Sequence, residues 1–145
     1  MTTPDEIIKL LDLIPHPEGG VYRETFRDSE GSGSENERRA HSTLIYYLLR
    51  AGEESRWHRI DAAEIWHFYL GEALELFTAE KNGPAQRRVL GPHLERGEIL
   101  HFAIPKGVWQ SARPLGAFAL VGCTVAPGFE FSGFEFAPAG WRPSR

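Results

Sequence analysis

The sequence predicts an all-β sandwich or barrel preceded by one short helix. Three observations carry this. Helical periodicity appears only at the N-terminus. Beyond Pro17 the apolar residues come in short, strand-length runs, and Gly, Pro or Asn-Gly separates most of those runs.

The helix comes first. Thr3 suits the N-cap, Pro4 the first helical position, and Glu6 completes a capping box. Ile7, Leu10, Leu11 and Ile14 then fall on one face, and Pro15 and Pro17 end the element. A helix over about residues 3–14 results, packing its stripe on the body of the domain. In VYRETFR (21–27), Tyr22, Glu24 and Phe26 alternate with Arg23, Thr25 and Arg27. DSEGSGSENERRA is polar and rich in Gly and Ser, which reads as a mobile loop. STLIYYLL (42–49) is apolar on both faces and reads as a buried strand. The runs EIWHFYL, LELF, RRVL, ILHFAI, VWQSA and AFALVGCTVA follow, with turns at Asn82, Gly91, Pro105 and Pro114.

With 145 residues the chain suits one domain, large enough to bury a core without disulfides. Its 41% hydrophobic and 25% charged residues are ordinary for a globular protein. A net charge of -4 with no basic, aromatic-studded stripe argues against nucleic acid as a partner. The first residues, MTTPDEIIKLLDL, lack a basic n-region, and no apolar run is long enough to span a bilayer. The single cysteine, Cys123, sits in an apolar run with nothing nearby to activate it. It fits a reducing cytoplasm.

The stretch AGEESRWHRIDAAEIWHFYLG (51–71) concentrates the candidate chemistry. His58 and Ile60 share one face of a strand. After a short turn containing Asp61, Glu64, Trp66 and Phe68 share a face of the next, and alternation turns His67 away. If the two strands are hairpin neighbours, His58 and Glu64 point into one cavity. Further on, Pro105 and Gly107 form a tight turn, with Gln110 three residues after the glycine.

Gly52, His58, Glu64 and Gly71 match the spacing of the first motif of the cupin superfamily, except that Ile60 replaces its second histidine. GEILHFAIPKGVWQ resembles the second motif, with Gly97, Pro105 and Gly107. Two extra residues precede Pro105, Gln110 stands at the histidine position, and the final Asn is absent. More narrowly, HPEGGVYRETFR, EIWHFYLG, PKGVWQ and GCTVAPGFEFSGFEF resemble the recurring words of an uncharacterised cupin family, a domain of unknown function. The resemblance implies one cupin domain over 1–145. Its jelly roll, a double-stranded β-helix, occupies about 20–137 behind the helix. It also implies a homodimer and a small-molecule pocket in the barrel mouth. It does not imply a reaction.

A metal-binding cupin offers three imidazoles and one carboxylate. The aligned set here is His58, Ile60, Glu64 and Gln110. Isoleucine cannot coordinate, and a neutral glutamine carbonyl competes poorly for a first-row ion. His58, Glu64 and Gln110 are therefore an incomplete shell, and a tightly bound divalent metal is not expected. A buried Glu64 needs a partner, which His58 would supply, and the pair would serve as acid and base. Gln110 suits fixing a polar ligand. Trp66 and Tyr22 are further candidates for the pocket wall, with Tyr46, Tyr47 and Tyr69 as alternative tyrosines. The Gly19–Gly20 pair gathers His16, Glu18 and Arg23 into a loop that would either cap the pocket or only connect the helix to the first strand.

The leading expectation is a cupin that binds a small polar or carbohydrate-like ligand and holds no metal firmly. If it is an enzyme, the resemblance to sugar-epimerase cupins implies proton transfer next to a carbonyl by an epimerase or isomerase, with His58 as base, a tyrosine as acid and Glu64 orienting the imidazole. The alternatives are a metal-dependent isomerase or oxygenase and a non-catalytic binding or storage module.

Overall fold

The structure, a computed structural model, describes residues 2–29, 39–81 and 83–144. Most of the polar loop DSEGSGSENERRA, and the turn residue Asn82, lie outside them.

Helix α1 spans Pro4–Leu11, and Thr3 Oγ1 accepts the Glu6 N–H at 3.2 Å, as the capping box requires. The helix ends earlier than its apolar spacing suggested. Asp12 turns left-handed at φ 55°, and the chain enters a two-residue strand, β1 (Ile14–Pro15). Ile7 and Leu13 are therefore the buried residues here, while Leu10 is 77% and Ile14 55% exposed.

The remaining strands are β2 (Val21–Arg27), β3 (Thr43–Arg50), β4 (Ser55–Ile60), β5 (Ala63–Gly71), β6 (Leu74–Ala79), β7 (Gln86–Leu90), β8 (His101–Ile104), β9 (Trp109–Pro114), β10 (Phe118–Ala126) and β11 (Phe134–Phe136). They form two antiparallel sheets, in the orders β1-β2-β3-β10-β5-β8 and β11-β4-β9-β6-β7. This is the jelly roll with one short N-terminal helix. No helix of the described residues is long and apolar enough to cross a membrane. Tyr47, Leu49, Trp66, Leu74, Leu76, Leu90, Ile104 and Val121 fill the space between the sheets. The helix covers the outer face of the larger sheet around Leu48 and Leu120.

Two features differ from simple strand reasoning. First, β4 and β5 are not hairpin neighbours. β4 pairs with β9 and β11, and β5 with β10 and β8, so the Asp61–Ala62 corner carries the chain from one sheet to the other. His58 and Glu64 meet because their sheets face each other. Second, the register of β2 on β3 shifts between Glu24 and Phe26. Such an irregularity inverts the alternation beyond it. Arg27, instead of Phe26, joins Tyr22 and Glu24 on the inner side, and Phe26 is 52% exposed.

The turn before β2 is set by its glycines. Gly19 and Gly20 have φ of 113° and 72°, and the N–H of His16 reaches the Gly20 carbonyl at 2.9 Å. A Cβ on Gly19 would collide with the Glu54 carbonyl oxygen. The tight reversal swings His16 and Glu18 inward. Gly19→Ala is therefore expected to destabilise the fold by about 2 kcal/mol, through a backbone conformation that L-residues avoid. Chemical denaturation checks this.

Candidate functional site

Between the sheets, near β2, β3, β4 and β10, lies a cavity with about 50 Å³ of free space, room for a water or the head of a small ligand. His16, Glu18, Tyr22, Thr43, His58 and Glu64 line it, with Glu24, Arg27, Phe129 and Phe131 among its other walls.

His58 is the centre of the site. Its Nδ1 lies 2.7 Å from the Arg56 carbonyl and its Nε2 2.9 Å from Glu18 Oε2. Both ring nitrogens face acceptors, an arrangement satisfied by the imidazolium, which donates from both. Burial opposes that charge. The Glu18 carboxylate, its hydrogen bond, the Glu64 charge and the Arg56 carbonyl outweigh burial and raise the imidazole to about 9. The ring also stacks on Phe134, with centroids 5.0 Å apart.

The two carboxyls behave differently. Burial pushes Glu18 up, but the charge and hydrogen bond of His58, with smaller help from His16 and Ser55, hold it below the ordinary carboxylate range. Glu64 is raised to about 7, first by burial and then by repulsion from Glu18. His58 and hydrogen bonds with Gln110 and Cys123 only partly offset this. One cation thus serves two buried carboxyls, and the second exchanges its proton near neutral pH, at about 7.

The surroundings hold this cluster in place. Trp66 Nε1 donates to Gln110 Oε1 at 2.8 Å, which orients the Gln110 amide behind Glu64. His58 and Gln110 are register partners across β4 and β9. The Tyr47 hydroxyl donates to the Gly19 carbonyl at 2.6 Å, pinning the glycine turn. His16 Nδ1 accepts the Glu18 N–H at 3.0 Å, and burial lowers the pKa of this imidazole, so His16 is neutral. The Ser55 hydroxyl is buried without a well-formed hydrogen bond, although it lies close enough to Glu18 and Tyr47 to affect both. Arg27 holds the rim through Glu24 at 2.8 Å, Glu130 at 3.3 Å and the Phe129 carbonyl at 2.9 Å.

The structure brings together His58, Glu64, Gln110, Glu18 and Tyr22, which sequence reasoning had marked. Three expectations change. Arg23 does not reach the cavity: it is half-exposed and pairs with Asp12 at 3.1 Å, because it sits on the outward side of β2. Trp66 is fully buried in the core and touches the site through Gln110 and the Tyr47 ring. His58 takes its partner from Glu18 on the glycine turn, with Glu64 left to Gln110 and Cys123. Among the tyrosines, Tyr22 lines the cavity. Tyr47 is buried beside it, and Tyr46 and Tyr69 lie on the opposite side of the sheet. Thr43, Phe129, Phe131 and the Cys123–Glu64 contact were not singled out. No local signal marks them, since their places depend on pairing across the sheets.

The chain belongs to the DUF985 family of the cupin superfamily, whose pattern matches residues 5–137. It is similar to the uncharacterized yeast protein YML079W from Saccharomyces cerevisiae, 28% identical over 90% of this chain and 73% of that protein. It is similar in structure to protein SO0799 from Shewanella oneidensis, with a TM-score of 0.86 and 38% identity over 94% of this chain and 85% of that one. The Bacillus subtilis oxalate decarboxylase shares the fold, with a TM-score of 0.64 and 16% identity over 84% of this chain and 29% of that one.

That decarboxylase has Mn(II) centres. The donor set here does not fit such an ion. Ile60 is hydrocarbon, packed with Ala62 and Val125. The Gln110 oxygen accepts from Trp66, and both nitrogens of His58 are engaged. Among the described residues no group of three or more His, Cys, Asp or Glu is placed to hold a metal ion.

The shifted groups have consequences for stability. Glu64, raised from 4.5 to about 7, contributes stability that is complete below pH 4.5 and lost as pH rises through 7. His58, raised from 6.5 to about 9, contributes stability complete below pH 6.5 and lost as pH rises through 9. Glu18 acts oppositely, its contribution being lost on acidification through its depressed value. Denaturation midpoints should therefore decline between neutral pH and pH 9. Glu18→Gln should lower the titration midpoints of both His58 and Glu64, because Glu18 raises both. NMR titration of the imidazole and carboxyl resonances reads both.

Proposed function

We propose that this cupin binds a small polar organic ligand, carbohydrate-like or a small hydroxy or keto acid, at the His58–Glu64 cavity, and that Glu64 exchanges a proton with it. One observation carries the reading: Glu18, His58 and Glu64 converge on a single cavity, with Glu64 titrating at about 7. A group with that midpoint is populated as both acid and base at neutral pH, the condition for efficient proton transfer. His58 is a poor base in this reading, since it is already protonated and both N–H groups are held. It serves as the fixed positive charge that keeps Glu18 ionised, and Glu18 in turn keeps the proton on Glu64.

The matching reaction is a proton shift beside a carbonyl. The Glu64 carboxylate takes a proton from the hydroxyl-bearing carbon next to the carbonyl, and the electron pair moves onto the carbonyl oxygen. A proton passes from that hydroxyl to the former carbonyl oxygen, and Glu64 returns its proton to the former carbonyl carbon, which leaves the new carbonyl on the neighbouring carbon. Tyr22 and Thr43 line the same cavity as donors to that oxygen. Thr43 Oγ1 accepts the Phe129 N–H at 2.9 Å, which leaves its own O–H to give. Deuterium incorporation from heavy water into a panel of aldoses, ketoses and hydroxy or keto acids, followed by NMR, tests this. Exchange at one of them should rise with pH through about 7. Glu64→Gln should cut it roughly 100-fold or more. Failure of Glu64→Gln to slow exchange that His58→Ala or Tyr22→Phe does slow would rule out Glu64 as the proton carrier.

The outer face of the larger sheet supports a homodimer. Leu11, Leu44, Tyr46, Tyr69, Leu70 and Leu120 border an open apolar groove beyond the helix, and Leu70 is 52% exposed. We place a second copy of the chain there. Static light scattering should give twice the 16.3 kDa chain mass, and Leu70→Glu should shift it toward the monomer. With its one cysteine buried as a thiol, the chain suits the reducing cytoplasm, where we place it.

A further inference from the structure

A second inter-sheet pocket, of about 300 Å³, opens on the far side of Trp66 and Gln110 from the His58–Glu64 cavity. Register partners fix the arrangement. Cys123, Trp66 and Phe102 lie in succession across one sheet, and His58, Gln110 and Thr78 across the other. The hydrogen-bonded pair of Trp66 and Gln110 therefore stands between the two spaces. Phe102 and Thr78 belong to the new pocket, and His58 to the cavity already described.

The pocket is organised around Arg88. The guanidinium lies 4.0 Å over the Phe102 ring, with Nη1 donating to Thr78 Oγ1 at 3.1 Å and Nη2 to Gln86 Oε1 at 2.9 Å. These contacts fix a planar fork but leave other N–H donors of the guanidinium unused. Its sequence neighbour Arg87 points to the outer face and pairs with the buried Glu75. Arg88, on the inner face, forms no ion pair with any described residue. A half-buried arginine held by two neutral acceptors and an aromatic face keeps its full charge for an anion in the pocket.

We infer that this pocket binds a small organic carboxylate with an apolar body, its carboxylate on Arg88 and its body against Phe102, Pro105 and Val108. The walls decide the class. Pro84, Ala103, Pro105 and Val108 are apolar, so that beside Arg88 only the Thr78 hydroxyl and the Gln86 amide remain as side-chain donors among the lining residues, and Glu80 opposes a dianion more strongly than a monoanion. The free space matches a compact ligand.

The test titrates the full chain with sodium benzoate. Benzamide serves as the neutral isostere and inorganic phosphate as the dianion, read by NMR at the Arg88 Nε–H and Trp66 indole and by calorimetry. Saturable binding of benzoate, at least 10-fold tighter than either comparator, is expected. Arg88→Gln should weaken it 10-fold or more with unchanged circular dichroism, while Arg96→Gln, an exposed arginine elsewhere, should leave it unchanged. If Arg88→Gln does not fold, Arg88→Lys should still weaken binding several-fold, because an ammonium cannot present the planar fork. Benzoate that fails to saturate, binds Arg88→Gln equally well, or shifts resonances of Tyr22 and His58 but not Arg88 would overturn the assignment. Phosphate binding as tightly as benzoate would overturn the ligand class.

Discussion

One imidazolium between two buried carboxyls is the interaction on which the rest of the site depends. Removing charges from water is expensive, and a low-dielectric cavity tolerates them only in matched sets. His58 and Glu18 make a matched pair at 2.9 Å with a further acceptor, the Arg56 carbonyl, behind the ring. Glu64 is then the unmatched third group. It resolves the mismatch by holding a proton, with Gln110 and Cys123 limiting how far its affinity rises. The chemical character of the cavity follows from that imbalance of charge.

The fold supplies the imbalance from separate pieces. β4 delivers His58 and β5 delivers Glu64, each from its own sheet, and the Gly19–Gly20 turn before β2 delivers Glu18. Tyr47 ties the turn to the core through the Gly19 carbonyl, and Trp66 ties Gln110 to the opposite sheet. Each buried polar atom that supports the cluster is itself held by a hydrogen bond, apart from the Ser55 hydroxyl. Misplacing one member would strand the others, since an unpaired buried donor or acceptor costs about 1–3 kcal/mol.

The departures from the metal-binding pattern read as one change of chemistry. Where a second and third imidazole would approach an ion, Ile60 joins an apolar cluster and Gln110 joins a hydrogen-bonded pair. The glycine-turn glutamate then occupies the ring nitrogen of His58 that an ion would need. The strand positions of the superfamily persist while the side chains on them differ from the three-imidazole set.

The sequence by itself determined the all-β architecture, the capped helix, most strands, and the inward face of β5 that carries Glu64 and Trp66. These follow from local periodicity, turn residues and motif spacing, which need no partner strand. Tertiary structure alone decided who pairs with whom. The irregularity in β2 put Arg27 inside and Phe26 outside, reversing an alternation that looked regular. The Asp61–Ala62 corner sent β4 and β5 into different sheets, so two residues six apart meet across the sandwich and not across a hairpin. Glu18, forty positions before His58, became its partner through a glycine turn whose inward swing is visible only against the Glu54 backbone. Which carboxyl is ionised depends on charges brought close by folding. Sequence order holds no information about those distances until the sheets close.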